Sequence, residues 1–134
     1  MKLCVLVKQV PGSESALRIA SSNTWIEDTA ALFEMNESDN YALEEALQIK
    51  EALGNDSEVV AVSMGPERVQ KVIREALAKG ADRGIHINEM TEIKSDPFAT
   101  AQVFANVIKD ENFDIIFSGL QSDDVGSGQT GIIL

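Results

Sequence analysis

Four short apolar runs, Leu3–Val7, Val59–Val62, Gly84–Ile87 and Asp114–Phe117, recur along the chain with helix-length segments between them. They are nearly continuous rather than alternating, the pattern of parallel strands covered on both faces. In Pro66–Lys79 the residues Val69, Val72, Ile73, Ala76 and Leu77 fall on one helical face. Pro66 suits the first turn, Gly80 suits the stop, and Glu67 with Lys71 makes an i,i+4 pair. Asp39–Leu53 carries Ala42, Leu43, Ala46, Leu47 and Ile49 and ends at Gly54, while Ser95-Asp96-Pro97 opens a third helix running to about Glu111. Strand and helix in this rhythm predict an α/β fold: a parallel sheet with helices on both faces, linked by βαβ crossovers.

One region breaks the rhythm. Gln9–Glu34 is too long for an ordinary βα loop. Its extended pieces Leu17–Ala20 and Thr24–Ile26, around Ser21-Ser22-Asn23, predict a β-hairpin excursion after the first strand.

The 134 residues suit one domain, and 44% hydrophobic with 25% charged residues is ordinary for a globular chain. A formal net charge of −11 argues against nucleic acid and against an anionic membrane surface. One cysteine, Cys4, precludes an internal disulfide and reads as a small buried hydrophobe. With a single histidine besides, a zinc site of thiolate and imidazole ligands is excluded. No stretch approaches the roughly 20 apolar residues of a membrane span, and nothing resembles a signal peptide. Gly131-Ile132-Ile133-Leu134 reads as an apolar helix start without a polar finish, so residues 1–134 are expected to form one α/β domain cut short at its C-terminus.

In such a sheet, ligands bind beyond the carboxyl ends of the strands. Lys8–Gly12, Asn36–Asn40, Ser63–Pro66 and Ser118–Gly131 project there, and the last is the richest. Gly126 and Gly128 let backbone N–H groups approach an anion, Ser127 and Thr130 offer hydroxyls, and a helix start follows. An ordinary Gly, Ser and Asp loop is the competing reading. The segment lacks the Gly-Lys-Ser/Thr of a P-loop, and no Gly-x-Gly-x-x-Gly follows the first strand. Asp123 and Asp124 read as solvated loop acids rather than a metal or acid–base pair. Lys8 could touch a ligand or be a plain surface charge. His86 reads as bland, and Trp25 reads as a packing anchor more than a cofactor stack. No nucleophile, base and orienting group can be assembled. The residues describe a binding site without evident catalytic machinery.

Several stretches together resemble the β subunit of electron transfer flavoprotein: Met1–Val10 (MKLCVLVKQV), Met35-Asn36 with Leu43-Glu44-Glu45-Ala46-Leu47 and Lys50-Glu51, Val59–Pro66 (VVAVSMGP), Glu75–Ile85 (EALAKGADRGI) and Gly119-x-Gln121…Gln129-Thr130-Gly131. The resemblance runs through the whole chain in order. It implies a Rossmann-type fold of the adenine-nucleotide α-hydrolase kind, with a C-terminal portion of similar size outside these residues. It also implies a soluble heterodimer with an α subunit, in the cytoplasm or, in a eukaryote, the mitochondrial matrix. That heterodimer would carry electrons from flavin dehydrogenases to a quinone oxidoreductase or another acceptor. FAD would be held mainly by the α subunit and AMP, in a structural role, by the β subunit.

The AMP contacts so implied are the Leu6 backbone, then Asn36, Glu37, Ser38 and Asp39, then Met64. The long phosphate loop adds Gly119, Leu120, Gln121, Ser122, Asp123, Asp124, Val125, Gly126, Ser127, Gly128, Gln129 and Thr130. Two departures stand out: Asn36-Glu37-Ser38 where the family often has Asn-Pro-Phe, and Ser122-Asp123-Asp124-Val125-Gly126 for Ala-Ile-Asp-Asp-Asp. Electron-bifurcating relatives place a second FAD in the AMP site, and Gln129-Thr130-Gly131 looks more like the AMP type. A universal-stress-type nucleotide module is disfavoured, because its Gly-x-x-Gly, nine residues, Gly-Ser/Thr spacing does not follow Ile116. An adenylating enzyme is disfavoured because no Ser-Gly-Gly-x-Asp-Ser loop is present.

Overall fold

The computed structural model describes residues 1–54, 56–88 and 96–134. Its elements are β1 (Lys2–Leu6), β2 (Gln9–Pro11), β3 (Phe33–Met35), α1 (Glu37–Leu53), β4 (Glu58–Gly65), α2 (Gln70–Lys79), β5 (Arg83–Asn88), α3 (Pro97–Ile108), β6 (Ile115–Phe117) and α4 (Thr130–Ile133). The main sheet has the order β5-β4-β1-β6 and every pairing in it is parallel.

The continuous apolar runs of β1 and β4 have the expected cause, since both faces of the sheet are covered there, while Ile115 and Ile116 of the edge strand β6 stay exposed. Leu3, Val5, Val59 and Ala61 point to one side and pack with Leu43, Ala46 and Leu47 of α1 and Val72 and Ala76 of α2. Cys4, Leu6, Val60 and Val62 point to the other and pack with Phe104 and Ile108 of α3. Burial is the chief reason the Cys4 thiol is pushed up to about 12, with the Glu111 charge adding to it. Cys4 is therefore expected to resist alkylation at pH 8 in the native protein and to react on unfolding, because the thiolate is the nucleophile. Rapid labelling of native protein would contradict this packing.

Helix limits follow local chemistry. Gly54 (φ 78°) stops α1, and Gly80 (φ 123°) stops α2. Pro66 leads into a 3-10 turn over Glu67–Val69, so α2 proper begins only at Gln70. That turn displaces the Glu67–Lys71 pairing expected from α spacing: Lys71 Nζ donates to Phe33 O (2.8 Å) and lies 3.8 Å from Glu75. Asp96 caps α3 by accepting from the Phe98 N–H (2.9 Å). The helix ends at Ile108, short of Glu111, and Ser95 lies outside the described residues.

The excursion after β1 differs from expectation in its base. β2 and β3 pair antiparallel there as a separate two-stranded sheet, Gln9 opposite Met35 and Pro11 opposite Phe33. Three-residue strands, one ending in proline, leave too little periodicity to read. The predicted hairpin is present farther out as a bridge between Ile19 and Ile26, with Ala20 N–H donating to Trp25 O (2.8 Å). Trp25 is 52% exposed, so the reading of it as a packing anchor fails for this chain.

Candidate nucleotide-binding crevice

The strand order locates a crevice before any side chain is considered. From β1 the chain steps outward through β4 to β5, then returns across α3 to β6 on the opposite side of β1. The loops leaving β1 and β6 therefore diverge, which opens a gap at the carboxyl end of this strand pair. Lys8 follows β1 and Ser118-Gly119 follows β6, so both stand at that switch point.

The N-terminus of α1 ties the two strand ends together. Asp39, 6% exposed, accepts from the Lys8 N–H through Oδ2 (2.8 Å) and from the Gly119 N–H through Oδ1 (2.9 Å). Burial raises its carboxyl above the ordinary range, while those two N–H groups and the Asn36 amide pull the other way. Asn36 is 1% exposed, and its backbone N–H donates to Lys8 O (2.9 Å). Its side-chain amide donates to Gln121 O (2.9 Å) and to Ser38 Oγ (3.0 Å), while Oδ1 accepts from the Asp123 N–H (2.9 Å). Ser38 Oγ also donates to Gln121 O (2.7 Å). Buried polar groups of this kind are costly unless satisfied, so the network holds one geometry.

The loop after β6 divides into a tied half and a free half. A Cβ on Gly119 would meet Ser38 Oγ, Asp39 Oδ1 and the Ser38 carbonyl carbon, so glycine is required there by α1. The loop acids are exposed, as expected, and each also has a partner. Asp123 Oδ2 accepts from the Glu37 N–H (3.1 Å) at the start of α1, and Asp124 Oδ1 lies 2.6 Å from Lys8 Nζ. Lys8 Nζ also donates to Ser122 Oγ (3.1 Å). Burial works to raise the Asp124 carboxyl, but the Lys8 ammonium and Ser122 hydroxyl outweigh it and hold it below the usual range. Beyond Val125, Gly126 (φ 68°) and Gly128 (φ 61°) take left-handed conformations. Among the described residues no acceptor engages the N–H groups of Ser127, Gly128, Gln129 or Thr130. A short run of free N–H groups on a glycine-shaped turn is the geometry that receives an oxyanion.

The structure thus brings Asn36, Glu37, Ser38, Asp39, Gly119, Gln121, Ser122, Asp123 and Asp124 into one bonded unit. Leu120, Val125, Ser127 and Gln129 are exposed on the loop, and Thr130 opens α4. Leu6 and Met64 lie on one sheet face at the ends of neighbouring strands, with Leu6 buried and Met64 half-buried. His86 is engaged by Gly65 O (2.9 Å). A separate hollow of about 700 Å³ near the ends of β4 and β5 is lined by Asp28, Arg68, Gln70, His86 and Asn88, among others. Sequence reading missed it, because its lining comes from three separate stretches without shared spacing. Arg68 there is already engaged, stacked 3.7 Å over the Phe33 ring and bonded to Gln9.

Sheet order, covered central strands and a tied loop at the switch point define an α/β domain of the Rossmann-like type. The chain belongs to the electron transfer flavoprotein β-subunit family. The family model described as "Electron transfer flavoprotein domain" matches residues 24–134. The electron transfer flavoprotein subunit beta of Methylophilus methylotrophus is 39% identical over 132 residues, covering 98% of this chain and 50% of that protein. The mitochondrial subunit beta of Arabidopsis thaliana is 40% identical, covering 98% of this chain and 51% of its own length. That of Bacillus subtilis is 37% identical, covering 96% and 49%. The chain spans about half the length of these relatives.

Proposed function

We propose that residues 1–134 form the single nucleotide-holding domain of an electron transfer flavoprotein β subunit, which binds AMP structurally and pairs with an α subunit carrying FAD. The heterodimer would accept electrons from flavin dehydrogenases and deliver them to a quinone oxidoreductase or another acceptor. It would work in the cytoplasm, or in the mitochondrial matrix of a eukaryote. No helix among the described residues is long and apolar enough to cross a membrane.

The observation carrying this reading is the run of N–H groups from Ser127 to Thr130 without a protein acceptor, presented on a mount of Asn36, Asp39 and Gly119. The fit to AMP is physical: N–H groups without a protein acceptor and two left-handed glycines suit a phosphate. A bound nucleotide would then stabilise the fold by mass action. What this chain offers is binding and orientation. The redox step would fall to the flavin.

Purified full-length heterodimer is expected to be yellow and to release on heating about one AMP and one FAD per complex, as tight single-site occupancy requires. Two FAD without AMP would select the bifurcating arrangement instead, and a colourless partnerless protein that hydrolyses ATP would end the carrier reading. Gly128→Val is expected to lower retained AMP several-fold, because a β-branched residue resists the left-handed conformation. Unchanged AMP content in that variant would remove the role given to this turn.

A further inference from the structure

The loop meant to hold a phosphate carries two adjacent carboxylates, Asp123 and Asp124, on a chain with net charge −11. Simple electrostatics opposes an anion there, since like charges a few ångströms apart repel. Asp123 is dealt with locally: its carboxylate faces the Glu37 N–H at the positive end of the 17-residue helix α1. Asp124 has no such partner on α1. Its side chain, 21% exposed, turns to the Lys8 ammonium.

Lys8 is joined to the site by all of its polar groups. Its N–H is held by Asp39, its carbonyl accepts from Asn36, and its Nζ reaches Asp124 and Ser122. The backbone contacts fix where the side chain starts, so the ammonium is aimed at the loop. Resting on the AMP reading above, we propose that Lys8 is a positioning residue that neutralises Asp124, whose Oδ1 also accepts from the Val125 N–H (2.7 Å) at the entry to the phosphate-receiving N–H groups of Ser127–Thr130. The charge of Lys8 acts through Asp124, not by contact with the nucleotide. A mere tether would depend on the bond itself, whereas a neutraliser is needed only while Asp124 is charged.

That difference sets the test, read as the rate at which AMP leaves the full-length αβ complex after dilution. Lys8→Met leaves Asp124 charged and unpaired, and is expected to speed release about tenfold at low salt. The effect should shrink at high salt, since exposed charges are screened. Lys8→Met combined with Asp124→Asn is expected to return release close to the wild-type rate. Asp124→Asn alone should release AMP no faster than wild type, which keeps the test decisive should Lys8→Met fail to fold. Release as fast from the double variant as from Lys8→Met, or faster release from Asp124→Asn alone, would overturn the proposal and leave the AMP reading standing. A wild-type complex without any adenine nucleotide would overturn both.

Discussion

Gly119→Ala is expected to cost about 3 kcal/mol of stability, at the upper end for a single added methyl, and to strip the nucleotide from the complex. The added Cβ would lie 2.7 Å from the Ser38 carbonyl carbon and collide with Ser38 Oγ and Asp39 Oδ1. None of these is the far end of a flexible side chain. Asp39 is fixed by two backbone N–H groups, and Ser38 lies in the first turn of α1. Relief would push the loop away from the helix, breaking the Asn36 bonds to Gln121 and Asp123 as well. The midpoint of urea unfolding and the AMP content of the full-length heterodimer check this together. Ser38→Ala added to Gly119→Ala should not rescue either quantity, because the backbone carbon and the Asp39 oxygen remain. Wild-type stability in Gly119→Ala would show that helix and loop are not packed as described.

Asp39→Ala ranks beside it. Removing the carboxylate leaves the N–H groups of Lys8 and Gly119 without acceptors at a largely buried site. Each such orphaned donor costs roughly 1–3 kcal/mol, so a loss of about 4 kcal/mol is expected. Asp39→Asn should fall between wild type and alanine. Its amide oxygen can serve one N–H, but its NH2 would face the other, donor against donor. The same unfolding midpoints, ordered wild type, Asn, Ala, measure the effect. An Asn variant as stable as wild type would mean that one of the two bonds is dispensable.

The fold was legible because its main strands are buried on both sides. Val59–Val62 and Leu3–Val7 needed no periodicity to be recognised, and Gly54 and Gly80 marked helix ends through their freedom at positive φ. The arm was not legible to the same degree. β2 and β3 are three residues each, and their pairing joins Gln9 to Met35 across a turn-rich stretch.

At the site, composition pointed to Gly126 and Gly128, whose left-handed backbone is a property of the residue itself. The fold pattern put Asn36–Asn40 at the strand ends, but contact roles for Asn36 and Asp39 came only through family resemblance. Their roles lie in bonds to Gln121, Asp123 and Gly119, more than eighty residues away or close to it, which no local spacing encodes. Asp123 and Asp124 are exposed, as loop acids usually are, but what they bond to was not legible. Their partners, the Glu37 N–H and Lys8, become neighbours only when β6 returns beside β1. Gly119 entered only as the first residue of the loop implied by the resemblance, and its hydrogen faces α1.

The central claim is that the turn Val125–Thr130, mounted on Asn36, Asp39 and Gly119, receives the phosphate of an adenine nucleotide. A crystal structure of the full-length heterodimer, grown without added nucleotide, tests it most directly. The expected result is AMP with its phosphate against the N–H groups of Ser127–Thr130, and Lys8 still paired with Asp124. A nucleotide seated instead in the hollow lined by Arg68 and His86, with the turn empty, would contradict it.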